Sequence, residues 1–354
     1  MTLVKATLWR QDTEIRFAVS AAMQRHSERS RLFLRVEHDG VVGYGEVAPQ
    51  PTELNGDPGI LDVVDELRVF VLPQLRQIVE REGDPPSWTR VARFAGSRCA
   101  SNTAVALVEM ALLDCELRAT HRSIDALWPQ ECATPLQATV SLLDDDEWHV
   151  SPDVARVRAK TSSTMPGGWA IERLATLTVP VLLDFNCAGE SDAEVLEQVR
   201  VLGDVVELAG VEQPFVVGNV VDMARLAERL PVAMSVDEGL RSLRDLAQIV
   251  RYGAAQILCV KPSRVGGVAN ARTIIETAHE AGLRPYVGGF FESPFARLVN
   301  RMLAGTSVSE PSDLSPVPVL LEGYAHEVDV VRDGFGIVPS AQMLEKLGAV
   351  LWDA

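Results

Sequence analysis

The second part of the chain alternates short apolar runs with stretches of helical periodicity. Apolar runs typical of buried strands lie at 136–142, 155–160, 179–186, 205–214, 231–238, 255–262 and 283–289, and residues 306–313 predict an eighth strand. Amphipathic segments such as AEVLEQVRVL and ANARTIIETAHEAG fill the gaps. Strands that alternate with helices of this length predict a parallel sheet. Eight such strands favour a closed (β/α)8, TIM-type barrel over an open doubly wound sheet, and no GxGxxG follows the first strand.

The first 130 or so residues follow a different pattern. Three strands are predicted at 2–10, 31–37 and 41–47, and the Asp-Gly pair between the last two predicts a hairpin. Helical spacing over 62–79, with a bend at Pro73, and over 102–118 predicts two helices. The N-terminal part is therefore an α+β module. A last hairpin in DVVRDGFGIV is expected to return to it.

Five charged residues fall at the ends of consecutive predicted strands, at intervals of 24, 28, 25 and 24 residues: Lys160, Asp184, Glu212, Asp237 and Lys261. In a barrel of this type the carboxyl ends of the strands open onto one mouth, so these side chains are expected to converge. A single aspartate at a strand end is more simply a helix cap. Three carboxylates at equivalent places instead predict a hard cation between them, Mg²⁺ or its analogue Mn²⁺.

The two lysines flank this predicted metal site. Each is expected to have its pKa lowered toward neutrality, so that it takes or returns a proton. Removing a proton next to a carboxylate produces an enediolate, whose second negative charge a metal ion stabilises. Asn186, two residues beyond Asp184, is predicted to contact substrate or orient a ligand. The pattern indicates a metal-dependent enzyme that abstracts an α-proton from a carboxylate.

The composition of the chain excludes several classes of binding partner. The net charge of −16 argues against nucleic acid and against an anionic membrane surface, and leaves a small carboxylate as the expected partner. The five cysteines form no CxxC pair, which predicts reduced thiols in a cytoplasmic protein rather than zinc ligands. The N-terminus does not have the pattern of a signal peptide, and no apolar run is long enough to cross a bilayer.

An ordered set of motifs then points to a family. The set comprises GYGEVAP (43–49), ALLDCELR (111–118), RAK (158–160), LLDFN (182–186), VEQP (211–214), SVDEG (235–239), VKPSRVGG (260–267) and VGGFFES (287–293). Over nearly its whole length the chain resembles the enolase superfamily, in particular its muconate-lactonizing-enzyme subgroup. The resemblance implies a capping domain at 1–130, a modified (β/α)7β barrel at 131–320 and a segment at 321–354 that returns to the capping domain. It also implies Mg²⁺ on Asp184, Glu212 and Asp237, with Lys160 and Lys261 as acid–base residues.

The motif EPSDLSP (310–316) is similar to that of o-succinylbenzoate synthases and N-succinylamino acid racemases. This resemblance implies substrate-binding positions at Arg158, Asn186, Gly288, Gly289, Glu292 and Asp313. The chain departs from the family pattern in two places. Arg158 replaces the first lysine of KxK, which changes a supporting charge, and Gly239 follows Asp-Glu where serine is commoner. The Asp-x-Asp of dipeptide epimerases is absent, since Ser312, Asp313 and Leu314 stand there.

The expected activity is dehydration of the o-succinylbenzoate synthase kind, in which Lys160 takes the proton and Lys261 stabilises the enediolate, with menaquinone biosynthesis as its setting. N-Acylamino acid racemisation is the close alternative, and muconate-type cycloisomerisation is a third. A Schiff-base aldolase using Lys261 and a non-catalytic scaffold are further alternatives. Loops 17–28 and 50–58 are candidates for specificity, and the protein is a candidate homo-oligomer. Three arginines are weighed as anchors for a distal carboxylate, against the simpler interpretation that each lies on the surface: Arg25, Arg264 and Arg297.

Overall fold

The computed structural model of the chain describes residues 5–21, 24–96, 100–129, 135–314 and 328–353. Within these ranges the chain forms a small antiparallel sheet with helices and a curled parallel sheet of seven strands. This agrees with the predicted capped barrel. None of the described helices combines the length and the apolar character needed to span a bilayer.

The antiparallel sheet has the strand order β13-β1-β2-β3. Its strands are β1 (Lys5–Ala21), β2 (Gln24–His38), β3 (Val41–Val47) and β13 (Val350–Asp353). Asp39 and Gly40 join β2 to β3, and both have positive φ, at 50° and 77°. Two such residues in succession match the right-handed twist of a hairpin, as the Asp-Gly pair predicts. The C-terminal strand β13 pairs with β1, so the end of the chain does return to the first module.

Four helices accompany this sheet: α1 (Ile60–Glu66), α2 (Leu72–Glu82), α3 (Trp88–Ala92) and α4 (Asn102–Ala119). A π-helical segment, Leu67–Val71, joins α1 to α2 without a break. It ends two residues before Pro73, whose ring nitrogen has no hydrogen to donate, so the regular bonding pattern is interrupted where the sequence predicts a bend.

Helix α4 lies between the antiparallel sheet and the barrel. Its start is capped by Ser101, whose hydroxyl accepts a hydrogen bond from Ala104 N at 3.2 Å. Nearly all of its residues are buried because both faces are covered. Leu107 belongs to the core of the N-terminal module, whereas Met110 and Leu113 belong to the core of the barrel. The helix therefore fixes the cap to the barrel.

Gly43 allows β3 to pack directly on α4. A β-carbon at this position would lie 2.3 Å from the Ala111 carbonyl oxygen and 2.4 Å from the Cys115 nitrogen, both main-chain atoms that cannot turn aside. We expect Gly43→Ala to lower the free energy of unfolding by about 3 kcal/mol. Gly168→Ala is the control, since a β-carbon there would meet no heavy atom within 4 Å. Urea denaturation of both variants checks this, and a Gly43→Ala midpoint equal to that of Gly168→Ala would contradict it.

The parallel sheet contains seven strands in sequence order, β10-β9-β8-β7-β6-β5-β4. They are β4 (Gln137–Ser141), β5 (Arg156–Lys160), β6 (Val181–Asp184), β7 (Leu208–Glu212), β8 (Ala233–Val236), β9 (Ile257–Val260) and β10 (Arg284–Val287). Each falls inside a run that the sequence analysis assigned to a strand. The helices between and after them are α5 (Gly168–Leu174), α6 (Asp192–Gly203), α7 (Val220–Ala227), α8 (Leu243–Tyr252), α9 (Pro262–Val265), α10 (Val268–Glu280) and α11 (Pro294–Ser307).

The eighth predicted strand, 306–313, is not a regular strand. Its first residues end α11, and the remainder closes the barrel through isolated hydrogen bonds. Ser309 N and Asp313 N donate to Pro285 O and Val287 O of β10, while Gln137 N of β4 donates to Ser312 O. Pro311 has no N–H to offer between these contacts, so a continuous ladder cannot form. The segment still fills the gap between the first and last strands.

The described C-terminal residues add a short hairpin and a helix. Strand β11 (Val328–Val330) pairs with β12 (Ile337–Pro339), where DVVRDGFGIV predicts a hairpin, and α12 (Ala341–Glu345) leads to β13. Phe335 lies in the barrel core, and its main-chain N–H donates to Asp114 of α4.

Glu109 of α4 caps the start of α10 from the opposite module. Its carboxylate oxygens accept hydrogen bonds from Val268 N at 3.1 Å and Ala269 N at 2.9 Å. Burial outweighs these bonds and raises the pKa of Glu109 to about 7. A carboxyl with a raised pKa binds its proton more tightly in the folded state, so its contribution to stability is lost as pH rises from about 4.5 to about 7.

We therefore expect the urea midpoint of the protein to fall as pH rises from about 4.5 to about 7, with about 3 kcal/mol of the loss coming from Glu109. Glu109→Gln removes the titrating group and is expected to flatten this dependence, although the amide is a poorer acceptor for two N–H groups and lowers stability at every pH. Denaturation curves across this range measure the slope. An identical slope in the two proteins would contradict the assignment.

Candidate active site

The five predicted strand-end residues lie together at the carboxyl end of the barrel. Lys160, Asp184 and Glu212 are the last residues of β5, β6 and β7, and the strand register pairs them as direct neighbours. Asp237 directly follows β8, and Lys261 directly follows β9. All five are buried. The strand–helix rhythm of the sequence is sufficient to bring them together.

Each lysine forms an ion pair with one of the carboxylates. Lys160 Nζ donates to Asp184 Oδ2, and Lys261 Nζ lies 2.9 Å from Asp237 Oδ2. The Lys261 ammonium also lies 4.4 Å from the centre of the Phe290 ring, a distance at which a cation and an aromatic face attract. The two amines therefore approach the carboxylates from opposite sides of the cluster, on β5 and β9.

Arg158 occupies the centre of the three carboxylates. Its Nη2 lies 2.7 Å from Asp184 Oδ2 and 2.8 Å from Asp237 Oδ2, and it also donates to Glu212 Oε1. Its Nε donates to the same Glu212 oxygen at 2.7 Å, and Nη1 reaches Asp313 Oδ2 at 3.1 Å. Burial alone would lower the pKa of Arg158, but the surrounding carboxylates hold it well above the ordinary value.

A second buried guanidinium, that of Arg264, joins this cluster to the N-terminal module. Arg264 donates to Asp237 Oδ1 and forms a bidentate pair with Asp57, at 2.9 and 2.6 Å. Burial would raise the pKa of Asp237, but Arg264, Lys261 and Arg158 together hold it well below its usual range. Asp237 is therefore a permanent carboxylate in this arrangement.

Glu212 is held by two hydroxyl groups that the sequence analysis did not single out. Ser235 Oγ and Tyr286 Oη donate to Glu212 Oε2 at 2.6 and 2.5 Å. Ser235 lies two residues before Asp237 on β8, so the period-two rule for strands could have placed it on the same side. Tyr286 is on β10, and nothing local in its sequence links it to Glu212.

The loop from 50 to 58 reaches the mouth of the barrel beside Asn186. Asn55 Nδ2 donates to Asn186 O at 3.0 Å, and Asn186 Nδ2 donates to Glu238 Oε1 at 3.0 Å. Glu238 therefore does not face away from the cluster, as a strict strand alternation would require, because regular β8 ends at Val236. Burial, followed by the charges of Asp237 and Asp184, raises the pKa of Glu238 to about 7.

A family model described as enolase C-terminal domain-like matches residues 166–342, half of the chain. The chain belongs to the enolase superfamily. It is therefore an enzyme of a superfamily whose relatives include lyases, racemases and epimerases.

Curated relatives of this enolase-superfamily member carry several activities. An N-succinylamino acid racemase of Amycolatopsis sp is 28% identical over 91% of this chain and 90% of its own length. An o-succinylbenzoate synthase of Bacillus subtilis is 26% identical over 88% of this chain and 84% of its own. The crystal structure of an N-succinyl Arg/Lys racemase from Bacillus cereus superimposes with a TM-score of 0.82 at 17% identity, over 100% of this chain and 99% of that one. The last likeness concerns the fold alone.

The remaining four residues that were predicted to bind substrate, Gly288, Gly289, Glu292 and Asp313, differ from one another in what they contact. Gly288 lies against Lys261, and a β-carbon there would be 2.9 Å from Lys261 Cε, so glycine leaves room for the lysine stem. A β-carbon at Gly289 would lie 2.6 Å from Glu292 Oε2. Glu292 itself accepts from Asn300 at 3.4 Å. Asp313 accepts from Thr139 at 3.0 Å as well as from Arg158, which places it beside the cluster.

Arg264 and Arg297 are buried, so the simpler interpretation of the sequence, that each lies on the surface, is wrong for both. Arg264 and Arg297 are 3% and 7% exposed. The Arg264 guanidinium is committed to Asp57 and Asp237, so it is not free to anchor a distal carboxylate either. Arg297 lies 3.6 Å from Glu292 and donates to the Asp313 carbonyl. The predicted loop at 17–28 is largely strand, since β1 runs to Ala21 and β2 begins at Gln24. The side chain of Arg25 falls outside the described residues.

One group of three side chains in the described ranges brings potential metal-ligand atoms within 4.8 Å of one another: Glu212, Asp237 and Cys259. It contains two of the three predicted ligands and leaves out Asp184. Mg²⁺ requires near-octahedral oxygen ligands at about 2.0–2.1 Å and does not favour a thiol. The Arg158 nitrogen already lies where oxygens of all three predicted ligands converge. In this arrangement the residues do not fit Mg²⁺.

The predicted lowering of the lysine pKa values is wrong for Lys261. Burial does act in that direction, but the Asp237 carboxylate outweighs it, so the pKa of Lys261 is raised. The prediction assumed that a metal ion and a second lysine would dominate. The group that contacts Lys261 Nζ is instead a carboxylate.

Proposed function

We propose that the enzyme abstracts the proton next to a substrate carboxylate, with Lys160 as the base and an enediolate as the intermediate. The observation that carries this proposal is the pair of buried lysines on opposite sides of one carboxylate cluster. Lysine is uncommon in this chain, which has four lysines among its 33 basic residues. Lys5 and Lys346 are exposed, and the other two are the site lysines. A guanidinium cannot release a proton in a protein, whereas an amine can, so this placement supports proton transfer.

The steps follow from the side chains of the site. In its neutral form the Lys160 amine takes the α-proton, and the carbanion electrons move into the substrate carboxylate as an enediolate. The Lys261 ammonium, held by Asp237 and by the Phe290 ring, faces the developing charge. The electrons then return to form a carbon–carbon double bond as the β-hydroxyl leaves, and the proton on Lys160 completes the departing water. This is dehydration of the o-succinylbenzoate synthase kind.

Racemisation of an N-succinylamino acid is the second candidate. It is favoured by the equivalent ion pairs of the two lysines and by the Amycolatopsis relative. The contact between Lys261 and Phe290 favours dehydration, because it stabilises Lys261 in the charged form that an electrostatic role needs. Dipeptide epimerisation has less support. The Ser312 hydroxyl accepts from Val287 N, and Asp313 is engaged by Arg158 and Thr139, so no carboxylate is left there for a substrate ammonium group.

Magnesium is the cofactor that the sequence predicts, and relatives in the superfamily generally bind it. No step above passes through a metal ion, because the residues do not fit one while Arg158 lies among them. Lys160, Lys261 and the guanidinium supply the positive charge in this scheme.

Proton NMR in D₂O tests the function. The protein is incubated with the hydroxy-acid precursor of o-succinylbenzoate and with both enantiomers of several N-succinylamino acids, in parallel with added Mg²⁺ and with EDTA. We expect loss of the α-proton signal from at least one substrate, and formation of product from the precursor. No exchange and no product in either condition would overturn the proposed reaction.

A further inference from the structure

The three carboxylates already hold a cation, the guanidinium of Arg158. Arg158 precedes Lys160 by two residues on β5, so both side chains point to the same side of the strand. One nitrogen of this guanidinium contacts Asp184, Glu212 and Asp237 together. Oxygens that would have to converge on a metal ion converge on Arg158 Nη2 instead.

The hydrogen bonds of the cluster leave no carboxylate oxygen without a donor. Asp184 Oδ1 accepts from Asn186 N, and Glu212 Oε2 accepts from two hydroxyl groups. Asp237 Oδ1 accepts from Arg264, and every remaining oxygen accepts from Arg158. A buried carboxylate that lacked partners would indicate a missing ion. These three carboxylates are satisfied by the protein alone.

The guanidinium is fixed in place and permanently charged. Arg158 is 2% exposed, and Nε, Nη1 and Nη2 each contact a carboxylate. A second cation at this position would displace the guanidinium sterically and would be repelled by Arg264 and the two lysines. Moving Arg158 aside would leave an uncompensated buried charge.

We propose that Arg158 is the resident cation of this site and that it excludes a divalent metal ion. The proposal rests on these contacts and is independent of the reaction proposed above. Arginine in place of lysine at this position thus does more than change a supporting charge: its longer, forked side chain spans all three carboxylates at once.

Titration with Mn²⁺, followed by the EPR signal of the free ion, tests this on the whole chain. We expect the wild-type protein to bind no Mn²⁺ at the cluster up to about 1 mM. Arg158→Met removes the charge, keeps much of the volume and exposes three carboxylates to one another. We expect it to gain one Mn²⁺ site per chain with an affinity at least about 100-fold higher than that of the wild type.

Arg156→Met is the matched control for the loss of a buried positive charge. Arg156 lies on the same strand, but its guanidinium donates to Gln137 and Glu310 and lies over the Tyr286 ring, and it donates to none of the three carboxylates. This variant is expected to titrate like the wild type, which separates a specific site from general attraction to an acidic protein. One tight Mn²⁺ site in the wild type would overturn the proposal, as would equal gains in the two variants. If Arg158→Met fails to fold by circular dichroism, the wild-type titration decides alone.

Turnover adds a second readout. Activity that is unchanged after dialysis against EDTA supports a resident guanidinium, whereas activity that EDTA abolishes and Mg²⁺ restores overturns it. Absence of turnover in both conditions concerns the proposed reaction alone, and the Mn²⁺ titration then remains the test of the cation site.

Discussion

Replacing Lys160 with methionine is expected to lower the rate of α-proton exchange by about 10²–10⁴-fold, the contribution typical of a positioned acid–base group. Methionine fills a similar volume, so the buried position at the end of β5 stays packed. The variant loses the amine that faces Asp184. Arg158 is close, but its guanidinium remains protonated.

The measurement is the initial rate of α-proton loss in D₂O for the best substrate of the panel. Lys346→Met is the control, since it removes an exposed lysine far along the chain from the site. Circular dichroism and the urea midpoint establish that both variants are folded. A Lys160→Met rate within a few-fold of the control would show that another group takes the proton.

The barrel and its five strand-end residues were predictable because the information is local. Each strand is a short apolar run, each helix has its own periodicity, and their repeat fixes which residues end neighbouring strands. Lys160, Asp184 and Glu212 are adjacent in the strand register for this reason. The eighth predicted strand, 306–313, shows the limit of such patterns. Its first residues belong to the end of α11, and Pro311 prevents a continuous ladder of hydrogen bonds, so no regular strand forms there.

The partners of the buried arginines could not be predicted, because they come from distant parts of the chain. Arg264 pairs with Asp57, which is 207 residues away in sequence and belongs to the N-terminal module. Arg158 pairs with carboxylates on three later strands. The sequence shows that Arg158 stands where the family pattern has lysine. The consequence depends on whether its guanidinium extends into the centre of the three carboxylates, which only the structure shows. The domain boundaries and the residue roles remain predictions.

Replacing Lys261 with methionine is the change that separates the two candidate reactions. In the dehydration scheme Lys261 carries charge and does not touch the α-proton, so the variant is expected to slow the reaction by about 10²–10³-fold, as when one donor to a developing oxyanion is lost. Exchange should therefore fall for the enantiomer whose α-proton faces Lys160, while the other enantiomer, with no base on its face, should exchange neither in the wild type nor in the variant. The ion pair with Asp237 and the contact with Phe290 are the basis for this expectation.

A racemase requires a different result from the same experiment. There the two lysines act on opposite faces of the α-carbon, so Lys261→Met would keep exchange with one enantiomer and Lys160→Met would keep exchange with the other. Measuring both variants against both enantiomers in D₂O gives a two-by-two comparison that does not depend on absolute rates. A crossed pattern would contradict dehydration as the principal chemistry, because Lys261 facing the α-proton is incompatible with a purely electrostatic role. Exchange that is confined to one enantiomer in the wild type and is slowed by Lys261→Met supports dehydration, since a base on one face and a fixed charge on the other then suffice.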